Sequence, residues 1–202
     1  MNTSATGGFL TVSPGLGRSS LEDILHDFIA GVAGLPGDLV RPRWQAAVPR
    51  VPAPGVGWCA FGIVGNRRIG LPVIKHAEVG DGQDEIVSTR ELSVLVSFYG
   101  PESMDLAETL RDGSHLEQNR AFLRPHGLAL TRASDITEVP EVVRAQWLAR
   151  SDLLMVLQYE TRRTCPTLNI VQVSGRVYAP GISVPTGCDS CPRACWLDNT
   201  GE

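Results

Sequence analysis

Three cysteines near the end of the chain, Cys188, Cys191 and Cys195, have the types and spacing that hold a metal. Thiolates separated by two and three residues can wrap a tetrahedral zinc once a fourth ligand joins them, or carry an iron–sulfur cluster. No histidine lies in that tail, so the fourth ligand would be Cys165, Asp189 or a group of a neighbouring subunit. The competing reading is a set of reduced thiols, or one disulfide, in a loose extension. With so few ligands present, that cofactor-free reading is the expectation.

No other cluster has the pattern of a catalytic centre. The four histidines, His26, His76, His115 and His126, are dispersed, and none accompanies a Ser or Cys in a nucleophile setting. Gly31 to Gly37 is rich in glycine but follows a helical pattern, and no Lys-Ser or Lys-Thr closes it, so it is not a phosphate loop. Glu78, Asp81, Asp84, Glu85 and Glu91 crowd together without the alternating ligand order of a calcium loop. They read as a solvated hairpin tip, or as half of a charged contact whose other half is Arg162 and Arg163. Complementary charge of that kind sets register between subunits more than it adds affinity. The chain is therefore expected not to be an enzyme.

The elements that would position these groups follow from periodicity. Leu21, Ile24, Leu25, Phe28, Ile29 and Val32 fall on one helical face, so a helix is predicted over 20–32. Ser19 and Glu22 have capping-box spacing, and Pro36 forbids extension. Five prolines between Pro36 and Pro54 predict a stiff strap anchored by Trp44. A strand is predicted over 56–64, ended by a turn at Gly65-Asn66. Strands over 71–79 and 85–99 would join through Gly80 to Asp84, and Leu92, Val94, Val96 and Phe98 would share the buried face of the second. Two short helices follow, from Ser103 to Gly113 and around Leu116 to Leu123, then strands over 128–136, 153–159 and 168–177. Strands follow one another without a helix between each pair, which predicts α+β: a mostly antiparallel sheet flanked by a few helices. Pro-rich and Gly-rich arms would extend from it, at 1–18 and 180–202, leaving 19–179 as the folded unit.

Composition narrows the function classes. At 202 residues the chain can bury a core without a metal or disulfide to hold it. A net charge of −4 argues against nonspecific nucleic-acid binding, which depends on Lys and Arg neutralising phosphates. No apolar run approaches the ~18–20 residues that span a membrane. Residues 1–8 lack the basic and apolar regions of a signal peptide, so synthesis in a cytoplasm is expected.

An ordered series of short segments resembles the phage neck-terminator and tail-terminator family. It runs through 39–45, 58–63, Leu92 to Pro101 with its Ser97-Phe98-Tyr99-Gly100-Pro101 ending, and Leu110-Arg111-Asp112-Gly113. Gln118-Asn119-Arg120, Asp135-Ile136-Thr137, Pro140-Glu141, Gln146-Trp147-Leu148 and Asp152 continue it. The tail beyond Pro180 has no counterpart in that pattern. The resemblance implies a virion protein that forms a ring of copies, commonly a homohexamer, at the head-proximal end of the tail tube. It implies contacts with the tube protein, with the head–neck connector and, in a contractile tail, with the sheath. Genomic DNA would pass through the ring without sequence-specific binding, and no membrane would be involved. Trp44, Trp58, Phe98, Tyr99 and Trp147 are the expected core or interface anchors.

The rival class is a small metal-binding regulatory or nucleic-acid-associated module built on the C-terminal cysteines. Metal analysis of the purified full-length protein separates the two. Folded protein free of metal is the expected result, and stoichiometric zinc or iron would favour the rival.

Overall fold

The computed structural model describes residues 2–170 apart from 48, 49, 54, 79 and 144. Helix α1 (Arg18–Ala33) leads into strand β1 (Val40–Pro42). Two long strands follow, β2 (Trp58–Ala77) and β3 (Gln83–Tyr99), then helices α2 (Ser103–Gly113) and α3 (Glu117–Leu123). The order closes with β4 (Leu128–Ala133), β5 (Thr137–Glu138), the pair β6 (Glu141–Val143) and β7 (Gln146–Leu148), and β8 (Arg150–Cys165). By internal packing the chain divides into Met1–Leu168 and Asn169–Glu202, and all of these elements belong to the first unit.

The fold is α+β. The main sheet has the order β1-β2-β3-β8-β4, with β5 on the same side of β8 as β4. Among the described residues only β1 pairs in parallel; the other pairings are antiparallel. Period-two patterning turns Leu92, Val94, Val96 and Phe98 of β3 to one face, beside Cys59 and Phe61 of β2 and Leu153, Met155 and Leu157 of β8. All of these are fully buried. Leu21, Leu25, Phe28 and Ile29 of α1 and Ala107 and Leu110 of α2 close the same core. The Cys59 thiol is pushed up by burial, so it behaves as an apolar side chain with no thiolate chemistry near neutral pH.

Five local expectations are corrected. Ser19 does not cap α1: the helix begins at Arg18 behind Gly17, with no side-chain cap, and Glu22 instead pairs with Arg18 at 2.7 Å. Gly65-Asn66 is not a turn. The strand runs on to Ala77, and Val64 is the extra residue of a bulge between Ile63 and Gly65. Glycine serves a bulge as readily as a turn, and β3 alongside supplies continuous pairing partners. The strand expected over 128–136 stops at Ala133, whereas that over 153–159 grows to 150–165 because β3 continues beside it. Residues 168–170 carry no strand, and the rest of the one expected over 168–177 lies outside the described residues.

The N-terminal arm does reach the sheet. The Ser13 N–H donates to the Thr164 carbonyl at 2.8 Å, and the Thr164 N–H donates to Ser13 Oγ at 2.8 Å. Nearer the start, Ser4 Oγ accepts from the Leu168 N–H. At the other end of the core, His26 Nε2 lies 2.9 Å from the Gly37 carbonyl and Nδ1 lies 2.9 Å from Asp27. Asp27 and that carbonyl raise the His26 pKa and join α1 to the loop behind it.

Truncating a ring at the centre of this layer should be far costlier than truncating a surface ring. Phe61→Ala is expected to destabilise by about 3–5 kcal/mol in denaturant unfolding. Trp147→Ala, at an exposed position, should cost less than about 1 kcal/mol.

Candidate functional site

The face of the sheet turned away from the helices carries a polar cluster. Trp58, Tyr99 and Arg150 lie side by side across β2, β3 and β8. The Trp58 and Tyr99 rings stack at 4.2 Å with an interplanar angle of 10°. The Arg41 guanidinium lies 6.0 Å from the Trp58 ring centre, and that of Arg150 lies 5.7 Å from the Tyr99 ring centre. Four adjacent strands thus contribute one layer each to a cation–aromatic stack.

In the next row, the Ser97 hydroxyl links the Arg43 guanidinium to the Asp152 carboxylate. Arg150 grips Asp152 with two bonds of 2.7 and 2.8 Å and also holds Glu141 at the start of β6. The bonds that Arg150 donates to Asp152 dominate in raising its pKa, and burial raises that of the Tyr99 phenol. The Arg150 charge is satisfied within the chain, whereas among the described residues Arg43 Nε is buried with no hydrogen-bond partner. The cluster holds strands in register and ties the β6–β7 hairpin to β8. Sequence reasoning singled out Trp58 and Tyr99 but assigned no role to Arg150. Its signal is the Arg150-x-Asp152 spacing, which puts both side chains on one face of a strand.

Trp44 also lies on this face. Its ring covers Gly62 so closely that a Cβ there would come within 2.7 Å of it. Yet 67% of Trp44 remains exposed, so it anchors the strap as a lid and not as a core residue. An open cleft of about 460 Å³ beside it is lined by Arg18, Glu22, Pro42, Arg43, Trp44 and Gln45.

The residues proposed for a charged contact are only partly free for one. Glu78 and Asp81 are exposed beside the β2–β3 turn. Asp84 lies 2.8 Å from His76, and bonds from His76 and Thr167 hold its carboxyl below the usual range. Arg162 is engaged within the chain, 3.2 Å from Glu85 and 2.7 Å from Glu160. The Arg163 side chain packs toward the backbone of Gly15 in the N-terminal arm. Cys188, Cys191 and Cys195 lie outside the described residues, and Cys165 is buried with its Sγ 3.8 Å from Thr167. Among the described residues no three His, Cys, Asp or Glu side chains gather as a metal site.

The margins of the sheet differ more than its faces. On the β4 side, the Arg120 guanidinium occupies the Leu130 carbonyl at 2.8 Å, and Ser13 pairs with Thr164 further along β8. On the β2 side, β1 covers only Cys59 to Phe61, and no described strand lies outside β2 beyond that point. Ile69, Leu71, Val73 and Ile74 are exposed along this open margin. An uncovered apolar edge of this length is a pairing and docking surface unless it is blocked.

Residues 19–182 match the family model described as phage neck terminator protein. The chain belongs to that family. A phage neck terminator is a structural component of the neck and tail of the virion, and its family is not a class of enzymes. It works through contacts with other head and tail components, which agrees with a surface offering edges and apolar margins. No curated protein matches the chain.

Removing Asp152 would leave the partly buried Arg150 with Glu141 alone as its carboxylate partner and Ser97 without its acceptor. Asp152→Ala is expected to cost about 3 kcal/mol or more, as for other partly desolvated pairs that lose one member. Thermal unfolding checks this, and a change within about 0.5 kcal/mol would show that the cluster is not structural.

Proposed function

We propose that this neck terminator acts as a closed ring of identical copies, six in the expected case, seated on the head-proximal end of the tail tube. There it ends tube polymerisation and offers its outer face to the head–neck connector; in a contractile tail the sheath would meet it too. The observation that carries the reading is the contrast between the two margins of the sheet. One is plugged by Arg120 and by the Ser13 arm, and the other is long, apolar and open. A ring uses a heterologous interface, in which one patch meets a different patch of the next copy, so a subunit with unlike flanks suits it. Glu78 and Asp81, exposed at the hairpin turn, are the members of the acidic tip best placed to steer such a contact. DNA would traverse the lumen without being gripped, in keeping with the acidic chain.

Native mass measurement and negative-stain imaging of the purified chain test this. A closed oligomer that halts elongation of purified tube protein is expected. A monomer at every concentration, without effect on tube length, would overturn the reading.

A further inference from the structure

Buried hydrogen-bond donors are nearly always satisfied, so an unmet one calls for a reason. Arg43 Nε is such a donor, buried and without a partner among the described residues. Its side chain also lines the cleft of about 460 Å³ where α1 meets the strap. The rest of the guanidinium is only partly engaged: Nη2 donates to Ser97 Oγ, and Asp152 is reached only through that hydroxyl. Among the described residues no carboxylate forms an ion pair with Arg43. The acid in the cleft wall, Glu22, lies 2.7 Å from Arg18 and is already taken. Two arginines and one glutamate therefore line the cleft, and the positive charge left over is that of Arg43.

The next residue is strained. Trp44 holds φ 59°, a backbone region that a bulky side chain rarely occupies. Two contacts keep it there. Its ring lies against Gly62, where a Cβ would also come within 3.2 Å of Arg43 Cβ, and the Arg18 guanidinium stands 5.7 Å from the ring centre. Strain of this kind persists where surrounding contacts impose it, and it gathers at ligand clamps and switches. A strained tryptophan and an unmet donor thus occupy consecutive positions of an exposed strap. One movement relieves both: Trp44 swings off Gly62, its φ relaxes, and an anionic acceptor reaches Arg43 Nε.

We infer that this cleft seats an acidic side chain, aspartate or glutamate, of another head or tail protein. Arg43 Nε donates to its carboxylate, and Trp44 is the wall that moves to admit it. A carboxylate oxygen suits a guanidinium N–H, and a bond between two charged groups is stronger than a neutral one. Trp44 and Pro42 supply apolar surface for the stem of the incoming side chain.

A nucleic-acid backbone fits the cleft less well. Phosphodiester binding uses a run of exposed basic side chains, whereas here Glu22 stands in the wall and the donor is a single buried N–H. The inference rests on the family and uses neither ring closure nor the open β2 margin.

The test titrates full-length protein into a fluorescein-labelled peptide of alternating glutamate and serine at low salt. A glutamine–serine peptide is the neutral control, and a short labelled DNA duplex is the polyanion control. Fluorescence anisotropy should rise with the acidic peptide and not with either control. Arg43→Gln should weaken that binding about tenfold, the loss of one charge-assisted bond. Because this change also removes the bond to Ser97, Gln45→Glu is the second variant. Gln45 is exposed, so unchanged circular dichroism and melting are expected, and the added negative charge at the cleft should also weaken the acidic peptide. Absence of binding, equal binding of the acidic and neutral peptides, or binding that neither variant alters would overturn the assignment. Duplex binding tighter than peptide binding, and lost in both variants, would make the cleft a phosphate site and overturn it too. Ring closure is read separately by native mass, so its failure and the failure of this site are distinct results.

Discussion

Strand β3 is hydrogen-bonded along its length on both sides, to β2 and to β8. Main-chain groups in a sheet need partners, and a strand with two neighbours passes the requirement outward to the next margin. The three long strands therefore decide where the molecule ends. Their helix-facing side is filled by Leu92, Val94, Val96 and Phe98 and by the residues opposite them, so that side belongs to α1 and α2. What remains for partners is the far face and the two margins.

The far face is occupied from within. Arg41, Trp58, Tyr99 and Arg150 stack across four strands, and Ser97 joins Arg43 to Asp152 in the next row. A cluster linked in this way across adjacent strands holds them in register. It also reaches Glu141, so the small β6–β7 hairpin inherits the rigidity of the main sheet although it pairs only with itself. For a protein that works by assembly, rigidity of the presenting element matters: a preorganised patch loses less entropy on binding.

The margins are where the function is written. Natural sheets protect their edges with charges, bulges and covering segments, and one margin here carries all three in Arg120, the shift between Leu130 and Arg132, and Ser13. The other keeps a bulge and a proline but leaves leucine and isoleucine in solvent. That asymmetry fits a virion component whose partners are other head and tail proteins.

Much of this was legible in the residues alone. Period 3.6 in Leu21 to Val32 and period 2 in Leu92 to Phe98 determined the main helix, the central strand and the α+β class, because burial of one face depends only on local spacing. The ordered short segments determined the family. Tertiary structure decided the rest. Gly65-Asn66 has the chemistry of a turn and of a bulge alike, and only the continuous partner strand β3 made it a bulge. Glu85 and Arg162 have the charges of an intersubunit pair, but the register that sets Val87 against Arg162 lets them meet within one chain. Trp44 and Trp147 have the composition of core residues and lie outside it. Burial is a property of what packs on the other side, and spacing along a chain carries no record of that.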